Sequence, residues 1–479
     1  MKNSYLISLL QPLNPAEFKR FGDFLESPFH NSNKNCLVLY QYLKRFYPDF
    51  EAEKVDKNKI GTKIFGSQEK ADKNMASLMT TMSNLVGDFL CHLQLEANPD
   101  IRSTFLLKGL SEKGLKRPFI SQYQRAIQEL AEQETQIDIA YFGNKYEKLT
   151  LLQEFNELNK DNTLTVDLQQ IADVFAKHSL LQQLHIAAII INKASFKAIA
   201  YDSQAIEDLL ATVESKNFLS ETLIELYYHV LKLLIDNLYN REEAAQHFLL
   251  LKQTLSKATA TIAIEQLRNF YAFAHVYCNK QVQKGKEAFR KEALELYKQQ
   301  LAQNALEFNG YIVPNNVYNM VTLGLQCGEW EWVRQFIEFA KNKVAPKFVD
   351  NLYAFNLAKL HFYTKEFDKC IEALHGINGF IDALYQMEAK SLLLRVYYEQ
   401  HETLAFEALV VSFREYIYTQ ESIPKGRKES YLNFVRFANQ LYKHRSEHKK
   451  ISLAVQKAIE ECANISERAW LLEKADALL

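Results

Sequence analysis

His444 and His448 are the histidines of this 479-residue chain whose spacing best fits a metal, since residues four apart share a helix face and two imidazoles can then reach one ion. No nearby Cys or Asp completes a tetrahedron, and Lys443, Arg445, Lys449 and Lys450 repel a cation. A solvated basic helix end is therefore expected. His401-Glu402-Thr403-Leu404-Ala405 opens like a zinc-protease helix, but Ala405 stands where the second histidine ligand belongs. Gly109 to Gly114 has one residue too many for a nucleophile elbow, and the sequence has neither GxGxxG nor GxxxxGK[ST]. His178, His185, His229, His247 and His275 lie in amphipathic helical stretches and read as satisfied or surface residues. No catalytic residue, metal or cofactor is assigned, and the chain is expected not to be an enzyme.

The local charge imbalance lies between residues 425 and 450. Eight cations (Lys425, Arg427, Lys428, Arg436, Lys443, Arg445, Lys449, Lys450) face only Glu429 and Glu447, a net of +6. Tyr431, Phe434, Phe437 and Tyr442 interleave with them. Cations with aromatics also describe a single-strand nucleic-acid surface, where phosphates are attracted and bases stack. These rings, however, step at helical spacing, which predicts core positions and leaves the cations as a solvated face or a patch for an acidic partner.

The elements that carry these residues are helices. Glycine numbers 14 and proline 9, well below ordinary usage of about 7% and 5%, leaving few turn-formers for short strands. Apolar residues at 48% and charged residues at 24% suit a folded, core-forming chain. A net charge of -1 gives no global field for nucleic acid or anionic membrane. Six cysteines (Cys36, Cys91, Cys278, Cys327, Cys370, Cys462) without a CxxC pair read as reduced, mostly buried thiols. The apolar stretch near Met1 is broken at Ser8 and ended at Gln11, too short for a signal peptide, and the longest apolar run, Ile186 to Ile191, is about a third of a membrane span. A cytoplasmic chain without membrane contact is expected.

Asn14-Pro15-Ala16-Glu17 predicts a capped helix over about 15–25, and Met75, Leu78, Met79, Met82, Leu85, Val86, Phe89, Leu90 and Leu93 predict a long amphipathic helix closed at Asn98-Pro99. Residues 1–97 thus form an N-terminal helical capping module. Its near balance of twelve cations and eleven anions, with only Lys70 and Lys73 as cations on the long helix, argues against a helix-turn-helix reader. Residues 100–312 read as helical hairpins with polar breaks such as Asn159-Lys160-Asp161-Asn162.

Residues 313–479 hold an internal repeat. Trp330, Phe367 and Leu404 are spaced by 37; Met320, Leu357 and Leu394 precede them by ten, and Ile337, Leu374 and Val411 follow by seven. Thr322 to Ala340, with Gly328-Glu329-Trp330 at the turn and Pro346 beyond, resembles a tetratricopeptide repeat (TPR). Its departures are the period of 37 rather than 34, Gly324 where that family prefers an aromatic, and Cys370 and Glu407 at its small-residue position. More faintly, the layout is similar to long helical-repeat proteins of Bacteroidota bacteria. The resemblance implies an all-α, TPR-like α-solenoid of antiparallel hairpins with a concave face lined by the first helix of each pair.

The function expected is that of a scaffold binding a protein or peptide on that face. Asn319 and Asn356 recur at one repeat position, Thr322 and Lys359 at another, where amides would bond a ligand backbone and Lys359 a carboxylate. The alternative is a nucleic-acid-associated regulator using residues 425–450 or the N-terminal module. Equal burial is expected at Trp330, Phe367 and Leu404, so truncating Trp330 would cost about 3–5 kcal/mol.

Overall fold

The computed structural model describes residues 4–50, 56–160, 163–194, 199–216, 218–239, 241–377 and 383–479. Within them the chain is all-α, with 23 α-helices packed mainly against their sequence neighbours. It divides into two compact units, residues 1–134 with 139–179, and residues 135–138 with 180–479. The break between helices predicted at 159–162 ends outside the described residues, at Asp161 and Asn162.

The first unit holds α1 (Tyr5–Leu10), α2 (Pro15–Glu26), α3 (Lys34–Leu43), α4 (Lys57–Phe65), α5 (Gln68–Ala97), α6 (Pro99–Glu112), α7 (Lys116–Glu132), α8 (Ile139–Asn159) and the start of α9 (Leu168–Ala194). The predicted capping box closes α2: Glu17 N–H donates to Asn14 Oδ1 and Asn14 N–H to Glu17 Oε2, both at 2.9 Å. On α5 the predicted stripe is the buried face, with Met75, Leu78, Met82, Val86 and Phe89 packing on Phe21, Phe24 and Leu39. Lys148, fully enclosed, meets Asp100 Oδ1 at 3.1 Å, so its charge is buried with a partner.

Helix α9 alone among the described helices is long and apolar enough to cross a membrane, and 39% of its apolar window is buried within the protein. Core helices pass the same length and composition test.

The second unit continues with α10 (Ser203–Ser215), α11 (Thr222–Leu238), α12 (Ala244–Lys257), α13 (Ile264–Gln283), α14 (Ala288–Ala302), a small hairpin of β1 (Glu307–Phe308) and β2 (Tyr311–Ile312), and α15 (Pro314–Gln326), α16 (Trp330–Lys341), α17 (Val349–Tyr363), α18 (Phe367–His375), α19 (Ala383–Gln400), α20 (Thr403–Thr419), α21 (Lys425–Ser446), α22 (Leu453–Glu461) and α23 (Arg468–Asp476). Neighbours pair as α11/α12, α13/α14, α15/α16, α17/α18 and α19/α20, while α15, α17, α19 and α21 also touch in succession. Helix α21 packs chiefly on α20 and α23.

The turns of the last four of these pairs each use one left-handed residue. Gly285, Gly328, Lys365 and His401 have φ of 83°, 77°, 61° and 60°. The next N–H in each case reaches back across the turn, as Glu329 to the Gly324 carbonyl (2.9 Å), Glu366 to that of His361 (2.8 Å) and Glu402 to that of Tyr397 (3.1 Å). This closes the helix end by a Schellman-type bond. The fifth residue after Gly328, Lys365 and His401, which is Val333, Cys370 and Phe406 respectively, is fully buried.

The step from Lys365 to His401 is 36, not 37, and this corrects the sequence reading of the third unit. Leu404 is 85% exposed and Val411 58%, whereas Phe406 and Val410 take the inward places. Trp330, at 45% exposure, is not enclosed either, and the expected equal burial of Trp330, Phe367 and Leu404 fails. Gly324 has its own reason. A Cβ there would stand 2.5 Å from Val333 Cγ2 and 3.2 Å from the Trp332 ring, so α16 closes on α15 where an aromatic would not fit.

Candidate functional site

Helices α15, α17, α19 and α21 bring together a buried ionic cluster. Tyr318 and Phe355, 37 residues apart, stack with centroids 6.1 Å apart at 7°. Lys359, one turn beyond Phe355, lies with Nζ 3.8 Å from the Tyr318 ring centroid and donates to Thr322 Oγ1. Its side chain is almost wholly enclosed, and no carboxylate is in ion-pair contact with it among the described residues. Burial holds its amine down at about 8, and Arg395 adds to this, against the pull of Glu388 and Glu467.

Around it, Arg395 Nη1 donates to Glu467 Oε2 at 2.8 Å, while its Nε, buried, has no partner. Glu388 accepts from Tyr431 Oη, and burial together with that carboxylate keeps the Tyr431 and Tyr318 phenols protonated far above the usual range. Glu467 is held at φ 55°, immediately before α23. The cluster encloses a cavity of about 40 Å³ reached by Thr322, Gln326, Lys359, Glu388, Arg395 and Glu467. That is room for about three water-sized atoms. Phe355 also walls a larger, open cavity of about 440 Å³, lined by Val313, Pro314, Phe348, Leu352 and Tyr385 with Asn315, Asn351 and Ser422 at its polar points.

Of the four predicted partner-binding residues, the structure joins Thr322 and Lys359 and separates the other two. Asn319 is exposed and its amide donates to Tyr297 Oη at 3.1 Å, toward α14. Asn356 is 1% exposed and donates to the Leu352 carbonyl of its own helix, so it offers no amide to solvent. Sequence spacing paired the two asparagines because it registers position along a helix. It does not register the roll that turns one side outward and the other inward.

The basic stretch behaves as its helical spacing predicts for the rings: Tyr431, Phe434, Phe437 and Tyr442 are all buried. Lys425, Arg427, Arg436, Lys443, Lys449 and Lys450 are exposed, Lys428 and Arg445 half-buried. His444 and His448 do not share a helix face. His444 Nδ1 bonds the Gln440 carbonyl at 2.9 Å, while His448 lies past the helix end at φ 50°. His401 is a turn residue, so the zinc-protease-like string has no helix to present it. Among the described residues no three His, Cys, Asp or Glu side chains converge as a metal requires. His185, His229, His247 and His275 each find a partner, Tyr227, each other and Gln300 respectively, and His178 alone keeps a buried Nδ1 without one.

Glu388, Arg395 and Glu467 were not singled out from the sequence. Arg395 interrupts an apolar run, with Leu392, Leu393 and Leu394 before it and Val396 after it, and a charge interrupting such a run is the signal that marks it. Glu467, far along the chain, carries no comparable signal. Compared with protein-family models, curated proteins and solved structures, the chain matches none.

Proposed function

We propose that this chain is a non-enzymatic, TPR-like α-solenoid that binds a protein or peptide on the face made by α15, α17 and α19. The carrying observation is the Lys359 ammonium, enclosed without a carboxylate partner, beside an open cavity with which it shares Phe355. A buried cation left unpaired costs stability, and such a cost is characteristic of a site built for a ligand. The cavity of about 440 Å³ suits a bulky apolar side chain, with Asn315 and Asn351 for the backbone, and Lys359 with the unpartnered Arg395 Nε supplies donors for a carboxylate. The successive contacts of α15, α17 and α19 and the recurring left-handed turns support the solenoid reading. An N-terminal cap over residues 1–97 and a cytoplasmic location belong to the same proposal.

Two variants test it. Lys359→Met removes the charge while filling the same space, and Asn351→Arg obstructs the open cavity. A partner captured by the wild-type chain from its host and identified by mass spectrometry is expected to bind each variant at least tenfold more weakly, with both variants folded by circular dichroism. Wild-type affinity in both overturns the proposal.

A further inference from the structure

A third cavity, of about 640 Å³, opens where the turn between α19 and α20 meets the end of α21. Of the eight cations in the basic stretch, only Arg445, Lys449 and Lys450 reach it; Lys425, Arg427 and Lys428 stand at the other end of a 22-residue helix, about 30 Å away. No Asp or Glu side chain lines it. The nearest carboxylate of this stretch, Glu447, is taken up by Lys449 at 2.7 Å, which holds its carboxyl below the usual range.

Three further features aim donors at this space. Arg445 is fixed in place, with Nη1 donating to the Tyr398 carbonyl at 2.7 Å and the guanidinium 4.8 Å from the Tyr398 ring. Its other arm bonds His401 Nε2, and because a guanidinium only donates, that nitrogen accepts and His401 carries its proton on Nδ1. Thr403, on the wall, is the first residue of α20, whose N-cap Glu402 makes no side-chain cap bond, so the helix presents N–H groups and the positive end of its dipole. His401 and His448, both lining the cavity, occupy left-handed turn positions that Gly285 and Gly328 fill elsewhere; the turn itself has no need of an imidazole.

We propose that this cavity is a binding site for a small polyanion bearing phosphate-type oxyanions. A cavity of this size holds a small molecule, and charged and neutral donors with no Asp or Glu side chain among the lining residues fit several oxyanions at once. The aromatic rings of residues 425–450 are buried, so base stacking by them does not contribute, and the ligand is not a nucleic-acid strand.

Titration calorimetry of the full chain with pyrophosphate at low salt tests this. The wild type is expected to show saturable one-site binding. Lys449→Gln with Lys450→Gln should weaken it about tenfold. His401→Gly with His448→Gly should also weaken it while leaving the melting temperature unchanged or higher, since glycine accepts these backbone angles. Lys425→Gln with Arg427→Gln removes the same charge at the far end of α21 and should leave affinity unchanged. Absence of saturable binding, or equal weakening by the Lys425/Arg427 pair, overturns the proposal.

Discussion

In α15/α16 the buried residue five places after the turn is Val333, laid over Gly324 of its own hairpin; in α19/α20 it is Phe406, stacked at 4.0 Å on Tyr442 of α21. One hairpin closes by bringing backbones together, the other by reaching with a large ring to the next helix. The left-handed turn residue is common to both, and it sets which side chains face inward. What fills those places is free to vary, so residue types alone misplace the register by one.

The largest difference is expected between Phe406 and Leu404. Phe406→Ala should cost about 3–5 kcal/mol, whereas Leu404→Ala, at 85% exposure, should stay within about 0.5 kcal/mol, both read by denaturant unfolding. Trp330→Ala falls between, at about 1–2 kcal/mol for a half-exposed ring. Equal losses at Leu404 and Phe406 would restore the 37-residue register.

Lys359→Met comes next. Its folded amine titrates at about 8, below the usual lysine value of 10.5, so between those pH values the unfolded chain binds the proton that the folded chain has lost. Wild-type stability should therefore rise with pH across that window. Below pH 8 the methionine variant should be more stable by on the order of 1–3 kcal/mol, and the gap should close as pH rises toward 10. Melting curves at pH 7, 8.5 and 10 check both sign and window.

The smallest effects are at the turns. Gly328→Ala, at φ 77°, should destabilise by about 1 kcal/mol, while Lys365→Gly, at φ 61°, should be neutral or stabilise by a few tenths. Opposite signs at equivalent places are the signature of a shared turn.

Helices with strong end signals were legible from the residues. The Asn14 capping box and the α5 stripe fall where periodicity puts them, because both depend on local spacing. The ionic cluster was half legible. Thr322 and Lys359 share a repeat position and do meet, but Arg395 and Glu467 are joined by the fold across 72 positions, which no local pattern encodes. The shift at His401 was hidden for a different reason. Histidine gives no hint of a left-handed backbone, whereas Gly328 does.

Hydrogen exchange of the Phe406→Ala variant tests whether the hairpins form a stacked array coupled neighbour to neighbour. Protection should be lost in α19, α20 and α21, reduced less in α17/α18, and kept at the wild-type level in α2 and α5. Uniform loss through all of these helices would mean one cooperative globule and would contradict the solenoid.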